Sequence, residues 1–220
     1  MNAPYRRYDA IRAIAADFHT QHWPTRDIPV PIELIVERDL NLQIIPIPGL
    51  REQFGVDGFL TSDCTSVYVD NALFAPRYIC RYNFTLAHEA GHLTMHRDVY
   101  QQERNFDLQG WVSFLEEVNA EPWFDRQAND FAGLVLVPGC HLGHERFEPA
   151  IRSPAIIASV DEALKVGLSD TAICEQVSVL VCRRVAPHFR VSHDTVRIRL
   201  EREERWPVVM LDDTGALLLR

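Results

Sequence analysis

The spacing of apolar and polar residues divides the chain into helical and extended stretches. A helix is predicted from Asp9 to about His22, ending before the loop HWPTRDIPVP. A short second helix starts near Pro31, whose fixed φ suits a first helical turn, and runs through IELIVERD. LQIIPIPG, DGFLTS and SVYVDN then cluster or alternate β-formers between turn residues, which predicts a small meander sheet. Another helix begins near Arg81, and residues 97–121 carry no clear period. From Pro122 to Val137, Phe124, Ala128, Phe131, Ala132 and Val135 recur at helical spacing and form an apolar face, stopped by Pro138 and Gly139. Three more helical patterns lie beyond Pro154, and PVVML-DDTG-ALLLR reads as a hairpin with Gly215 in its turn.

Composition narrows the class. The 220 residues are 47% apolar and 24% charged, ordinary for a soluble globular protein able to bury a sizeable core. No apolar run reaches the length of a membrane span, and MNAPYRRYDAIRAIAADF lacks the apolar centre of a secretory signal. The five cysteines are odd in number and widely spaced, without C-x-x-C, so they read as free thiols of a cytoplasmic protein. A net charge of −9 argues against non-specific binding to nucleic acid.

The densest chemistry lies in FTLAHEAGHLTMH, residues 84–96. His88 and His92 are four apart, so a helix carries both imidazoles on one face, and Glu89 lies to one side of the pair. In this H-E-x-x-H arrangement two neutral imidazoles hold zinc and the glutamate takes a proton from water. Gly91 removes a side chain beside His92, admitting another backbone or a substrate. His96 lies one further turn along, too far to join an ion bridging the first two, and is expected to bond carbonyls at the helix end.

Catalytic zinc needs one more protein ligand. Glu103, Asp107, Glu116, Glu117, Glu121, Asp125 and Asp130 are the downstream carboxylates. Asp125 is best placed, flanking the apolar face of the second long helix with Asn129 one turn later on the same side. Glu121 precedes Pro122 at the helix entrance, where it could serve the N-terminal dipole; Asp125 suits that dipole role equally well.

FTLAHEAGHLTMH followed by DRQANDFAGLVLVP resembles the ImmA/IrrE family of metallopeptidase-like proteins, and FRVSHDTVRIRL is similar to a third segment of that family. The likeness spans about residues 30–205. It implies an α+β, gluzincin-like fold in which His88, His92 and Asp125 ligate zinc and Glu89 is the general base. Two departures stand out. The family usually has glutamate where this chain has Asp125, so the shorter side chain requires its helix to sit closer. Thr195 replaces an alanine, on a face expected to be solvated.

The expected architecture is a zincin-like domain over residues 1–145, in which the small sheet packs on the H-E-x-x-H helix and on a second ligand-bearing helix. A helical, helix-turn-helix-like region follows over 146–206, then a hairpin over 207–220. VLVCRRVAPHFRVSHDTVRIRLERE reads as helix, turn, helix, with Ser192 as the cap. Its arginines could meet DNA phosphates, but interleaved glutamates such as Glu201 opposite Arg197 favour a solvated face, so direct nucleic-acid binding is not expected.

The resemblance implies a zinc endopeptidase with a narrow protein substrate, since members cleave or disable helix-turn-helix repressors and others accompany toxin–antitoxin-like pairs. The alternative is a sensor that keeps the zinc site but controls a regulator by binding alone, although a pure binder has no need of Glu89. A deformylase-like amidohydrolase is disfavoured because E-G-C-x-S is missing. Tyr82, Tyr100, His141 and His144 are candidates to stabilise an oxyanion.

Overall fold

The structure, a computed structural model, describes residues 4–102, 110, 113, 114 and 122–220. The chain is α+β and mostly helical, with a small mixed sheet. It divides into two compact units, residues 1–136 and 137–220. Among the described residues no helix is long and apolar enough to cross a membrane, and all five cysteines are free.

The first unit begins with α1 (Tyr8–His22) and α2 (Ile32–Leu34), which continues as a π turn over Ile35–Asp39. Strand β1 (Gln43–Ile47), the short helix α3 (Leu50–Phe54), β2 (Gly58–Leu60) and β3 (Ser66–Asp70) follow. The sheet is not the expected meander. Its order is β1-β3-β2, with β1 parallel to β3 and β2 antiparallel to it. The cause is α3, which interrupts the path between β1 and β2 and supplies the crossover that a parallel pair requires. Gly49 and Gly55 bracket α3 at φ +69° and +73°, so the chain turns sharply at both ends. Asp70 ties β3 to this crossover, accepting from the backbone N–H of Arg51 at 2.7 Å and of Ala72 at 2.8 Å. Pro46, which cannot donate to a ladder, sits in β1 at the edge, whereas β3 is central and buried along most of its length.

Helix α4 (Ile79–Gln102) starts two residues before the expected Arg81 and runs through 97–102, a stretch read as irregular. Met95, His96, Val99 and Tyr100 are all buried, so a helical period continues there with histidine and tyrosine taking apolar positions. Most of 103–121 lies outside the described residues, including Glu103, Asp107, Glu116, Glu117 and the rival ligand Glu121.

Helix α5 (Pro122–Leu136) buries Phe124, Ala128, Phe131, Ala132 and Val135 completely, as its period predicted. It packs between α1 and α4. On one side Phe131 meets Phe18 edge-on at 5.3 Å, and His19 Nε2 donates to the Val135 carbonyl at 2.9 Å. On the other side lies Gly91. A Cβ there would stand 3.0 Å from Phe131 Cδ1 and 3.3 Å from Ala128 Cα, so the glycine admits the backbone of α5 itself.

The second unit contains α6 (His144–Ile151), α7 (Pro154–Lys165), α8 (Asp170–Phe189), α9 (His193–Arg202) and a hairpin of β4 (Val209–Leu211) and β5 (Leu217–Leu219). Residues 137–145, assigned from sequence to the first domain, group with this unit. The hairpin also groups with it: the Val208 N–H donates to Ser178 Oγ of α8 at 3.0 Å. Ser192 caps α9 by accepting from the Thr195 N–H at 3.2 Å. Thr195 is buried, not solvated, because its hydroxyl lies 3.0 Å from Ser192 Oγ within the cap. Of the α9 arginines, Arg197 pairs with Asp194 and Glu201, while buried Arg199 bonds Glu203 and the Val137 carbonyl.

Candidate metal centre

His88 and His92 lie one turn apart on α4, and their Nε2 atoms converge to 3.0 Å. Asp125 enters from the first turn of α5, with Oδ1 3.2 Å from His88 Nε2. One ligand atom from each of the three residues lies within 4.8 Å of the others, so the group could hold a metal ion. The reach of the short aspartate follows from the packing. Gly91 is three residues after His88 and Ala128 three after Asp125, so the glycine contact brings the two ligand-bearing turns together.

The proton inventory tests whether a cation fits. Asn129 Nδ2 donates to Asp125 Oδ2 at 2.8 Å, which leaves Asn129 Oδ1 as an acceptor. His88 Nδ1 lies 3.0 Å from that oxygen and must therefore donate. Neutral His88 then carries its lone pair on Nε2, facing His92 Nε2 on one side and the Asp125 carboxylate on the other. Converging lone pairs repel unless a proton or a cation lies among them. Two ligands at 2.0–2.1 Å from a tetrahedral ion stand about 3.3 Å apart, close to the observed separations. The residues fit a small divalent ion.

The charges agree with this inventory. Burial lowers His88, but Asp125, Glu89 and Asn129 outweigh it and hold its pKa above the usual histidine value. With a proton in place of a cation on His88 Nε2, the bond this donates to Asp125 holds the carboxyl below the usual carboxylate range. Burial, reinforced by His88 and His96, drives His92 well below the ordinary value, so it is a neutral imidazole with a lone pair to give. Comparison of the sequence with protein-family models and with curated proteins returns no match.

Glu89 is buried beside the cluster, and Oε2 accepts from the backbone N–H of Leu60 in β2 at 2.8 Å. Burial raises its pKa, against the pull of His88 and the Leu60 N–H. Strand β2 comes this close because Gly58 has no side chain: a Cβ there would lie 2.6 Å from the Tyr68 carbonyl oxygen and 2.8 Å from Thr85 Cγ2 of α4. His88, Glu89, His92 and Asp125 share a cavity of about 360 Å³ with Phe59, Phe84 and Tyr100. Of the four oxyanion candidates, Tyr100 alone lines this cavity. Tyr82 donates its hydroxyl to Glu33 at 3.0 Å, and His141 and His144 belong to the second unit.

His96 is not the helix-end histidine that the sequence predicted, because α4 continues past it to Gln102. It is almost fully buried, with Nδ1 3.0 Å from His92 Nδ1. Asn129 and the Leu60 N–H likewise escaped assignment. The repeat of His88, His92, His96 and Tyr100 at four-residue intervals was the available signal for His96; the backbone contact to Glu89 left none.

Proposed function

We propose that the chain is a zinc-dependent endopeptidase of zincin type that hydrolyses a peptide bond in a specific protein, a helix-turn-helix repressor or antitoxin-like regulator. The observation that carries this reading is Glu89, a buried carboxylate held at the wall of the cavity into which three metal-ligand atoms converge. His88, His92 and Asp125 would hold the ion, and imidazole and carboxylate donors suit zinc. Zinc supplies Lewis acidity, polarising a carbonyl and acidifying water to a pKa of about 7.

The remaining work falls to the chain. With Oε2 anchored by Leu60, Glu89 Oε1 takes a proton from the attacking water and returns it to the departing amine nitrogen. Burial raises the pKa of Glu89 above the ordinary carboxylate value, which strengthens it as a base. Phe59 and Phe84 give the cavity apolar walls that restrict bulk water. A net charge of −9 favours rapid encounter with a basic DNA-binding protein in the cytoplasm.

The test begins with metal content. Near one zinc per chain is expected, with loss in His92→Ala and in Asp125→Ala. Glu89→Gln should keep the ion yet fail to cleave a repressor that the unaltered chain cuts. A chain that binds zinc and repressor but leaves the repressor whole would be a sensor, not a peptidase. A chain that takes up no supplied metal would end both readings.

A further inference from the structure

We infer that His96 is a positioning residue whose Nδ1 accepts the Nδ1 proton of His92 and so turns the His92 Nε2 lone pair into the metal centre. The inference rests on the metal-centre reading above for its purpose, but its geometry stands separately. The two Nδ1 atoms are 3.0 Å apart, and two imidazole nitrogens at that distance share one proton: one donates and the other accepts. If His96 donated, the His92 proton would move to Nε2 and project into the ligand cluster, 3.0 Å from His88 Nε2. If His92 donates, its Nε2 is free for the ion and the remaining His96 proton sits on Nε2.

The surroundings favour the second arrangement. His96 Nε2 is buried beside Gln127, whose amide is also buried, and among the described residues none of these three atoms has a hydrogen-bond partner. A carbonyl oxygen of that amide satisfies an Nε2–H, and rotating the amide is enough to present it. Phe124 lies against the column, 4.2 Å from the His96 ring at an interplanar angle of 27° and 4.8 Å from the His92 ring. Stacking of this kind fixes the ring planes, so the Nδ1 atoms stay aligned.

The apolar setting also accounts for the residue type. A carboxylate commonly takes the outer proton of a metal-bound histidine. Here it would be an unsolvated charge against Phe124, whereas a neutral imidazole accepts the same proton without burying charge. Asn129, itself neutral, holds His88 in the equivalent way. Each imidazole thus has its own uncharged partner, one from each ligand-bearing helix.

Imidazole ¹⁵N NMR on the metal-free protein near neutral pH tests the assignment directly. A proton on His92 Nδ1, with Nε2 unprotonated, is expected; a proton on His92 Nε2 overturns the inference without any variant. Competition with a chromophoric chelator for Zn²⁺ then reads the consequence. His96→Phe keeps a ring against Phe124 but removes the acceptor, and should weaken the ion by about 10- to 100-fold. His96→Asn restores an acceptor near the Nδ1 position and should recover most of that loss, which a purely structural role would not predict. Equal Zn²⁺ affinity in His96→Phe and the parent chain, with both melting cooperatively, also overturns it. If even the parent chain takes no Zn²⁺, the metal-centre reading fails, while the NMR result still decides what His96 does to His92.

Discussion

Replacing Gly91 with alanine adds one methyl group where α4 and α5 have no room for it. The new carbon would lie 3.0 Å from Phe131 Cδ1 and 3.3 Å from Ala128 Cα. Ordinary carbon contacts begin near 3.5 Å, so the helices must part by a few tenths of an ångström. Alanine gains about 1 kcal/mol over glycine inside a helix, while overpacking costs about 1–3 kcal/mol. The net is a loss of about 0–2 kcal/mol in the metal-free protein, read by urea titration. The centre should suffer more than the fold does. Ligand distances tolerate only about 0.2 Å, and the added carbon pushes the Asp125 turn away from the histidines. Zinc affinity should fall at least about tenfold, equivalent to about 1.4 kcal/mol. Asp125→Glu supplies a methylene to bridge the wider gap, so it should help zinc binding in Gly91→Ala and harm it in the parent chain. That double-mutant cycle should show a coupling above about 0.5 kcal/mol. Unchanged stability and zinc affinity in Gly91→Ala, with an additive cycle, would falsify the idea that this glycine sets the reach of the aspartate.

Four further outcomes are expected. The metal-free protein should lose stability as pH falls below about 6.5, because the unfolded chain takes protons that buried His19, His92 and His96 resist. For His96, whose pKa is pushed down to about 4, the loss accumulates from about pH 6.5 to 4 and reaches about 3 kcal/mol, so urea midpoints in His96→Phe should vary less with pH. Zinc affinity should also weaken on acidification as protons compete for His88, which titration at pH 7.5 and 6 measures. Tyr82→Phe removes the bond to Glu33 and should cost about 1 kcal/mol while leaving zinc affinity intact, since Tyr82 does not line the cavity. Ser192→Ala should lower stability by about 1 kcal/mol through loss of the α9 cap, again without touching zinc, and an altered zinc affinity would contradict the assignment of the centre to the first unit.

The parts of the fold legible in the sequence are those set by local periodicity. The apolar face of α5 could be read from five residues because each of them is buried against a neighbour. That His88, His92 and Asp125 come together was legible for a related reason: helical spacing predicts which side chains share a face, and both helices that carry them form. The sheet order was not, because the partner of β3 depends on how α3 returns the chain, a non-local choice. Residues 97–102 were misread because burial there rests on Val99 and Tyr100 alone, and the buried residue one turn before Tyr100 is His96, which a polar–apolar pattern counts as a break. That error also misplaced His96, whose role depends on the helix continuing beyond it. Thr195 was misplaced because capping contacts bury a residue whose side chain alone signals solvent.

The contact between Leu60 and Glu89 has a consequence for how such chains can diverge. The proton donor belongs to the main chain, so the bond itself asks nothing of position 60 except that it not be proline, and the fully buried Leu60 side chain is kept by packing alone. What cannot drift is the neighbouring spacing: Gly58, wedged between the Tyr68 carbonyl and Thr85, has no tolerated replacement that keeps the strand so near the helix. Among relatives that share this centre, position 60 should keep a buried apolar residue other than proline, for packing and for its N–H, while 58 stays glycine. An ancestral substitution at 58 would silence Glu89 without altering a single residue of the cluster it serves.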